Sequence, residues 1–307
     1  MPCYVTSFRT VGQHQRKLID VVFSDIDGCF VPHGYDPLGL VQIDQASEPY
    51  FGYYRRYTGP QLVLCTGRAW INTFGILKRA GFLPNQCRIW PDRPVLCENG
   101  IDVIVDPLNG PRTSLIDELA ELEHLRPVVE HIKNAGGELE LALDGIRKRL
   151  EADFQRSVSP IQLIKKDFCL TARIPHFEGT AQQVDPSRFY QSLAQAVQRL
   201  LGVLVERGAV QIVLSANAVD ITLPLGKGDG VRYLLQRYGT SPGRAAYIGD
   251  SLPDIEGMKQ VGLACCPANA VPPVQDFVAS LGDRGYISPL KYADAEIDIL
   301  NHIQALG

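Results

Sequence analysis

Asp20-Val21-Val22-Phe23-Ser24-Asp25-Ile26-Asp27-Gly28 is the stretch from which the fold of this chain can be read. Ile19 and Val21 to Phe23 are apolar and β-prone, the pattern of a short buried strand. Residues two apart on an extended strand point the same way, so Asp25 and Asp27 are carboxylates crowded at the strand's carboxyl end. Gly28 permits the turn that must follow. Two such carboxylates resist ionising together, and a divalent cation such as Mg²⁺ resolves the conflict. A plain strand-to-turn junction also favours Asp and Gly for local reasons, so other stretches must decide.

Working outward, Gln61 to Cys65 is a second buried strand, ending in Thr66-Gly67-Arg68 and a helix from Ala69 to Arg79. The free N–H groups of a helix start attract anions. Val95 to Cys97 is a third strand, ending in Glu98-Asn99-Gly100 and followed by a strand over Ile101 to Val105. Pro224-Leu225-Gly226-Lys227-Gly228 leads into a helix over Asp229 to Tyr238. Ala245 to Ile248 is a strand ending in Gly249-Asp250-Ser251-Leu252-Pro253-Asp254, with a helix to about Val261. A strand over Gly262 to Cys266, a helix over Val274 to Leu281, an edge strand at Tyr286 to Ser288 and a helical tail over Ala293 to Gln304 complete the pattern. Strands that alternate with helices and end in polar loops predict an α/β fold. Its parallel sheet carries its site at the carboxyl edge.

Between these blocks the texture changes. Ser114 to Ala135 reads as a helix interrupted at Pro127, Glu138 to Leu143 as a strand, and Phe168 to Ile174 as another. Gly145 to Lys166 has no clear pattern beyond a helical stretch from Ile146 to Asp153. Pro186 to Arg207 is an amphipathic helix, and Val210 to Ser215 with Val219 to Leu223 form a hairpin. The order helix, strand, strand, helix, strand, strand predicts a two-layer α+β module over residues 112–222, inserted into a discontinuous core of 1–111 and 223–307. The remaining stretches are a short edge strand at Tyr4 to Phe8, a loop over Cys29 to Ser47, and an aromatic helix from about Ser47 to Tyr57.

Composition bounds the function. The 307 residues suit one large domain or two ordinary ones, and 45% hydrophobic with 21% charged is ordinary for a globular protein. A net charge of −4 argues against broad nucleic-acid backbone binding. No apolar run approaches the roughly 20 residues of a membrane span, and no signal-peptide core precedes residue 18. Eight cysteines without a CxxC pair read as buried, reduced thiols in a cytoplasmic protein. Cys29 lies beside the carboxylates and reads as a small apolar filler.

The polar groups at the strand and helix ends form a chemical set suited to phosphoryl transfer from a small phosphate ester. Asp25 can be a nucleophile that forms an aspartyl-phosphate. Asp27 can protonate the leaving oxygen and later deprotonate water. Thr66 can donate to a phosphoryl oxygen, and Lys227 can neutralise its charge. Asp250 and Asp254 can hold Mg²⁺ together with Asp25.

In this respect the chain resembles the haloacid dehalogenase-like (HAD) superfamily of aspartate phosphatases. Its four motifs match Asp25-Ile26-Asp27-Gly28, Thr66-Gly67-Arg68, Lys227-Gly228 and Gly249-Asp250-Ser251-Leu252-Pro253-Asp254, in order. The resemblance implies a Rossmann-like core. It implies Asp25 as nucleophile and metal ligand, Asp27 as acid/base with its backbone carbonyl on the metal, and Asp250 as a direct ligand. Asp254 follows as a ligand or a group that positions metal-bound water. It also implies substrate contacts from Thr66, Gly67, Arg68, Asn99 and Lys227. Pro253 departs from the family pattern, which has Asn there.

About 160 residues separate Thr66 from Lys227, far more than a compact α/β connection needs. That surplus resembles the type IIB cap of the Cof-like and sucrose-phosphatase-like branch. Glu98-Asn99-Gly100 and Asp220-Ile221-Thr222 also resemble that branch, which includes sucrose, trehalose and mannosylglycerate phosphatases and the phosphomannomutases. The resemblance implies a Mg²⁺-dependent phosphatase of a sugar phosphate. A phosphosugar mutase and a non-catalytic sensor on the same scaffold are the alternatives. Arg147, Lys148, Arg149, Lys165, Lys166 and Arg173 are the cap cations available to choose a substrate.

Overall fold

The structure, a computed structural model, describes residues 18–30, 52–54, 56–80, 92–105, 112–154, 161–173, 186–214 and 218–307. In chain order the strands are β1 (Val21–Ser24), β2 (Gln61–Leu64), β3 (Val95–Cys97), β4 (Asp102–Ile104), β5 (Arg112–Ser114), β6 (Gln162–Lys165), β7 (Cys169–Arg173), β8 (Gln211–Leu214), β9 (Val219–Thr222), β10 (Ala245–Ile248), β11 (Leu263–Cys266) and β12 (Gly285–Ile287). The main helices are α1 (Trp70–Ala80), α2 (Arg126–Phe154), α3 (Pro186–Leu200), α4 (Lys227–Arg237), α5 (Asp254–Met258), α6 (Pro272–Ser280) and α7 (Tyr292–Ala305).

Five strands form a parallel sheet in the order β12-β11-β10-β1-β2. Phe23 aligns with Tyr247 on one side and Val63 on the other. Both faces are covered, so these short strands are apolar on both sides. Val22, Leu62, Leu64, Ala246 and Ile248 pack with Ile299, Leu300 and Ile303 of α7. The alternate residues, Val21, Phe23, Val63, Ala245 and Tyr247, pack with Val231 and Leu234 of α4 and with Val274 and Val278 of α6. The chain leaves β1 for β2 on one side, and β10 joins β1 on the other. The crevice beyond their carboxyl ends is therefore the place where such a sheet binds ligands.

The third expected strand is not a full member of this sheet. β3 touches it through one parallel bridge, Cys65 to Leu96, and instead starts an antiparallel sheet β3-β4-β5. The turn over Glu98–Gly100 redirects it: Glu98 and Asn99 have φ of 47° and 59°, and Gly100 has 89°.

A second apolar core lies on a four-stranded antiparallel sheet, β6-β7-β9-β8. Leu139, Leu143, Ile146 and Leu150 of α2, with Leu193 and Val197 of α3, cover Leu170, Ala172, Val219 and Ile221. The expected order of elements holds, but one assignment is corrected. Glu138 to Leu143 is not a strand; it lies within the 29-residue helix α2. Its alternation is local, whereas Leu139, Leu143, Ile146 and Leu150 repeat every three to four residues, and burial of that face decides the outcome. The missing strand is β6. Pro127 does not kink α2 but stands in its first turn, where no N–H is needed. Before it, Leu115–Glu118 and Ala120–Leu125 form separate short turns. The helix expected to run from Pro186 to Arg207 breaks after Leu200 and resumes over Gly202–Glu206.

The remaining core helices and strands lie within a few residues of expectation. Residues 52–54 and 56 are helical, in keeping with the aromatic helix. The edge strand at Tyr4 to Phe8 and most of the Cys29 to Ser47 loop lie outside the described residues. No described helix is long and apolar enough to cross a membrane.

α4 lies directly on the Glu98–Gly100 turn. A Cβ on Gly230 would sit 2.6 Å from the Gly100 carbonyl oxygen and 3.0 Å from its Cα. Alanine would gain about 1 kcal/mol of helix propensity, but a backbone-to-backbone clash of this kind costs about 1–3 kcal/mol or more. Gly230→Ala is therefore expected to lower the melting temperature by several degrees in a thermal unfolding scan. An unchanged or raised value would show that the turn yields.

Candidate active site

The strand ends bring the expected acidic and basic groups together. Asp25 follows β1 and is fixed to the neighbouring strand by its N–H, which donates to the Ile248 carbonyl at 2.9 Å. Its Oδ1 accepts the N–H of Ile26 at 2.7 Å. Its Oδ2 lies 3.0 Å from Nζ of Lys227, the first residue of α4. The same Nζ lies 2.6 Å from Oδ1 of Asp254, which opens α5. The Tyr247 hydroxyl donates to that Oδ1 at 2.9 Å. Oδ2 of Asp254 accepts the N–H groups of Asp250 and Ser251 and the Ser251 hydroxyl, at 3.1, 2.9 and 2.8 Å. Asp254 thus ties the loop after β10 to Lys227.

All four of these groups are buried, Lys227 at 2% exposure and Asp250 and Asp254 at 0%. Burial pushes the Asp25 carboxyl well above the usual range; Lys227 opposes that rise, and Asp254, Asp250 and Asp27 add to it. Burial also works against the charge of Lys227, but Asp25 and Asp254 overcome it and hold the ammonium charged. Three buried carboxylates face one buried ammonium, an excess of negative charge that a dry site does not tolerate uncompensated. One oxygen from each of Asp25, Asp250 and Asp254 lies within 4.8 Å of the others. An all-oxygen donor set with surplus negative charge fits a hard divalent cation.

Asp27 is expected on the metal through its backbone carbonyl, which leaves its carboxylate to other partners. Its carboxylate is gripped by Arg68, with Nε donating to Oδ2 at 2.7 Å and an Nη to Oδ1 at 2.6 Å. Its side chain stands outside the three-carboxylate cluster. Arg68, expected to contact substrate, is here the partner of Asp27.

Thr66 follows β2 and is fully buried; its Oγ1 accepts the N–H of Arg68 at 3.1 Å, which leaves its hydrogen to donate elsewhere. Asn99 is held against it, its N–H donating to the Thr66 carbonyl at 3.0 Å. Its side-chain Nδ2 is buried and has no hydrogen-bond acceptor among the described residues. A buried amide left so costs about 1–3 kcal/mol unless a further acceptor reaches it. Gly67 lies against Asn99, where a Cβ would sit 3.1 Å from Oδ1.

Four residues outside the motif assignments also shape the site. The Glu98 carboxylate accepts the N–H groups of Asp167 and Phe168, in the β6–β7 turn, at 3.0 and 2.7 Å. Burial raises its pKa to about 7, against the pull of those two N–H groups. Lys166 on the same turn donates to the Gly67 carbonyl at 2.7 Å and lies 3.6 Å from Asp220. Arg112 grips Asp102 through two bonds of 2.9 and 2.8 Å and also reaches Asp167. Asn269, after β11, donates to the Gly28 carbonyl at 2.7 Å and so braces the first motif. The sequence singled out Lys166 only as one of six cations. Of the others, Arg147 and Lys148 pair with Asp144 of their own helix, and Lys165 pairs with Glu140.

The sequence profile of the haloacid dehalogenase-like hydrolases matches residues 190–281, a span that contains Lys227, Asp250 and Asp254. Over that span the chain is similar to the haloacid dehalogenase-like hydrolases. Solved structures agree on the fold. The sucrose-phosphatase of Synechocystis sp. PCC6803, solved with sucrose and phosphate, is 19% identical with a TM-score of 0.53; 94% of this chain and 98% of that one align. Protein 0175 of Thermoplasma acidophilum is 17% identical with a TM-score of 0.57, covering 94% of this chain and 100% of that one. A haloalkanoate-superfamily phosphatase of Bacteroides thetaiotaomicron is 16% identical at a TM-score of 0.57, covering 98% and 100%. No curated protein matches the chain by sequence.

The geometry separates Asp250 from Asp27. Asp250→Asn is expected to weaken divalent-cation binding by about 10–100-fold, measured by isothermal titration calorimetry. Asp27→Asn should leave it within a few-fold, because that side chain lies on Arg68. Equal losses in both variants would place Asp27 among the side-chain ligands.

Proposed function

We propose that this protein is a Mg²⁺-dependent phosphatase that hydrolyses a small phosphorylated metabolite, a sugar phosphate being the favoured class, through an aspartyl-phosphate. The observation that carries the proposal is the convergence of Asp25, Lys227, Asp250 and Asp254, buried together at the carboxyl edge of the sheet, with the unsatisfied Asn99 amide beside Gly67. Mg²⁺ held by Asp25 and Asp250, with Asp254 beside them, would screen the anionic nucleophile from the anionic ester.

The chain's own groups divide the work as follows. A carboxylate oxygen of Asp25 attacks phosphorus, and the bond to the leaving oxygen breaks. Asp27 gives that oxygen its proton. Water then attacks the phosphorus of the acyl-phosphate while Asp27 takes its proton back, releasing phosphate and restoring Asp25. Lys227, Thr66 and the Asn99 amide donate to phosphoryl oxygens whose charge must be carried through both steps. A guanidinium that grips Asp27 in two places favours the ionised carboxylate. Arg68 must therefore release Asp27 before proton transfer, and an incoming phosphate oxygen offers it another partner.

Residues 112–222 are, on this reading, the cap that selects the leaving group, and 1–111 with 223–307 are the catalytic core. Contacts of Glu98 with the Asp167 N–H, of Lys166 with the Gly67 carbonyl and of Arg112 with Asp102, across the two, support a cap that closes over the site and limits water. The six described cysteines are buried and none is in a disulfide, which supports a reducing, cytoplasmic setting.

A panel of phosphorylated sugars, glycerates and nucleotides with Mg²⁺ tests the proposal. One sugar phosphate should be turned over with release of inorganic phosphate. Asp25→Asn should abolish that release, a loss of at least about a thousandfold, while retaining the fold by circular dichroism. Undiminished turnover in that variant sinks the mechanism, and an isomerised sugar phosphate instead of free phosphate marks a mutase.

A further inference from the structure

Behind the nucleophile lies a buried carboxyl that none of these steps uses. Glu296, on α7, is fully buried against the far side of β1. Its Oε1 is 2.9 Å from Oγ of Ser24, the residue before Asp25. The same Oγ is 3.0 Å from the Asp25 carbonyl oxygen. A hydroxyl has a single hydrogen to donate, and a carbonyl oxygen has none. If Ser24 donates to the Asp25 carbonyl, Glu296 must donate to Ser24, and only a protonated carboxyl can.

The Asp25–Ile26 peptide then has both ends in use. Its carbonyl is held by Ser24, and its N–H, that of Ile26, holds Oδ1 of the Asp25 side chain at 2.7 Å. Turning that peptide plane would turn the carboxylate and move Oδ2 away from Lys227.

We infer that Glu296 is a positioning residue for the nucleophile, acting as a neutral acid through Ser24 and the Asp25–Ile26 peptide to fix the direction of the Asp25 carboxylate. The inference rests on the phosphatase reading above. The surroundings keep the acid neutral. Burial raises Glu296 to about 8, opposed by its bonds to Ser24 and Tyr54. Tyr53, Tyr54 and Cys29 are the other titratable groups that face it, and no lysine or arginine among the described residues acts on it. Loss of its proton turns the Ser24 hydrogen toward the carboxylate and releases the Asp25 carbonyl.

The test uses the full chain with Mg²⁺, p-nitrophenyl phosphate as substrate, and beryllofluoride binding by ¹⁹F NMR as a readout that needs no turnover. Glu296→Leu is expected to lower kcat about tenfold or more, with KM within a few-fold and beryllofluoride bound more weakly. Glu296→Gln, whose amide can still donate to Ser24, should recover most of kcat. It should also lack the fall in kcat expected of the wild type above about pH 8. Wild-type stability should decline as pH rises from about 4.3 to 8, because the folded state holds the proton longer than the unfolded chain; the Gln variant lacks that slope. Should Glu296→Leu fail to fold, Ser24→Ala replaces it with the same expected split between kcat and KM. Wild-type kcat and pH profile in all of these variants would overturn the inference alone. A wild-type protein that neither turns over the ester nor binds beryllofluoride would overturn the phosphatase reading and the inference together.

Discussion

Lys227 held between Asp25 and Asp254 is the interaction on which the site depends. An ammonium buried to 2% exposure is tolerable only where carboxylates face it directly, and here two do, at 3.0 and 2.6 Å. The three residues come from the end of β1, the start of α4 and the start of α5, so the ion cluster fixes the loops on either side of the sheet's central pair of strands. Removing the lysine would leave buried anions without a partner. Adding a divalent cation brings the remaining charge toward balance. The surplus of negative charge left after Lys227 is counted fits a divalent cation.

The rest of the molecule supports that cluster in two shells. On one side α7 and Asn269 brace the strand and loop that carry Asp25 and Asp27. On the other, the turn over Glu98–Gly100 receives both α4 and the β6–β7 turn of the inserted module. Left-handed backbone at Glu98 and Asn99 is costly for residues with side chains. It is retained where the Glu98 carboxylate caps two N–H groups of the opposite module and the Asn99 backbone N–H holds the Thr66 carbonyl. Strain, an unsatisfied amide and an inter-module bond coincide in three consecutive residues, which is the physical mark of a working surface rather than a packing core.

The insertion packs its helices on one face of an antiparallel sheet around an apolar cluster. Its contacts to the core are both apolar and polar: Ile101 and Leu225 join its apolar cluster, Leu115 joins that of the parallel sheet, and Glu98 and Lys166 bond across the two.

Much of this was legible in the sequence because it depends on short-range rules. Apolar runs ending in Asp, Thr or Gly-Asp marked the strand ends, and a sheet that buries both faces allows few other readings of Val21 to Phe23 or Ala245 to Ile248. The same rules failed where two periods competed. Glu138 to Leu143 alternates like a strand, and only the packing of Leu139, Leu143, Ile146 and Leu150 on one sheet face shows it to be helix. The residue types at positions 25, 27, 66, 227, 250 and 254 were legible in the sequence, but not their partners. That Arg68 grips Asp27, that Glu98 and Lys166 join the two modules, and that Glu296 stands behind Ser24 across 272 residues of chain were decided by tertiary structure alone. Hydrogen bonds between distant residues leave no periodic trace in a sequence, because each partner is chosen by where the fold places it and not by what lies beside it.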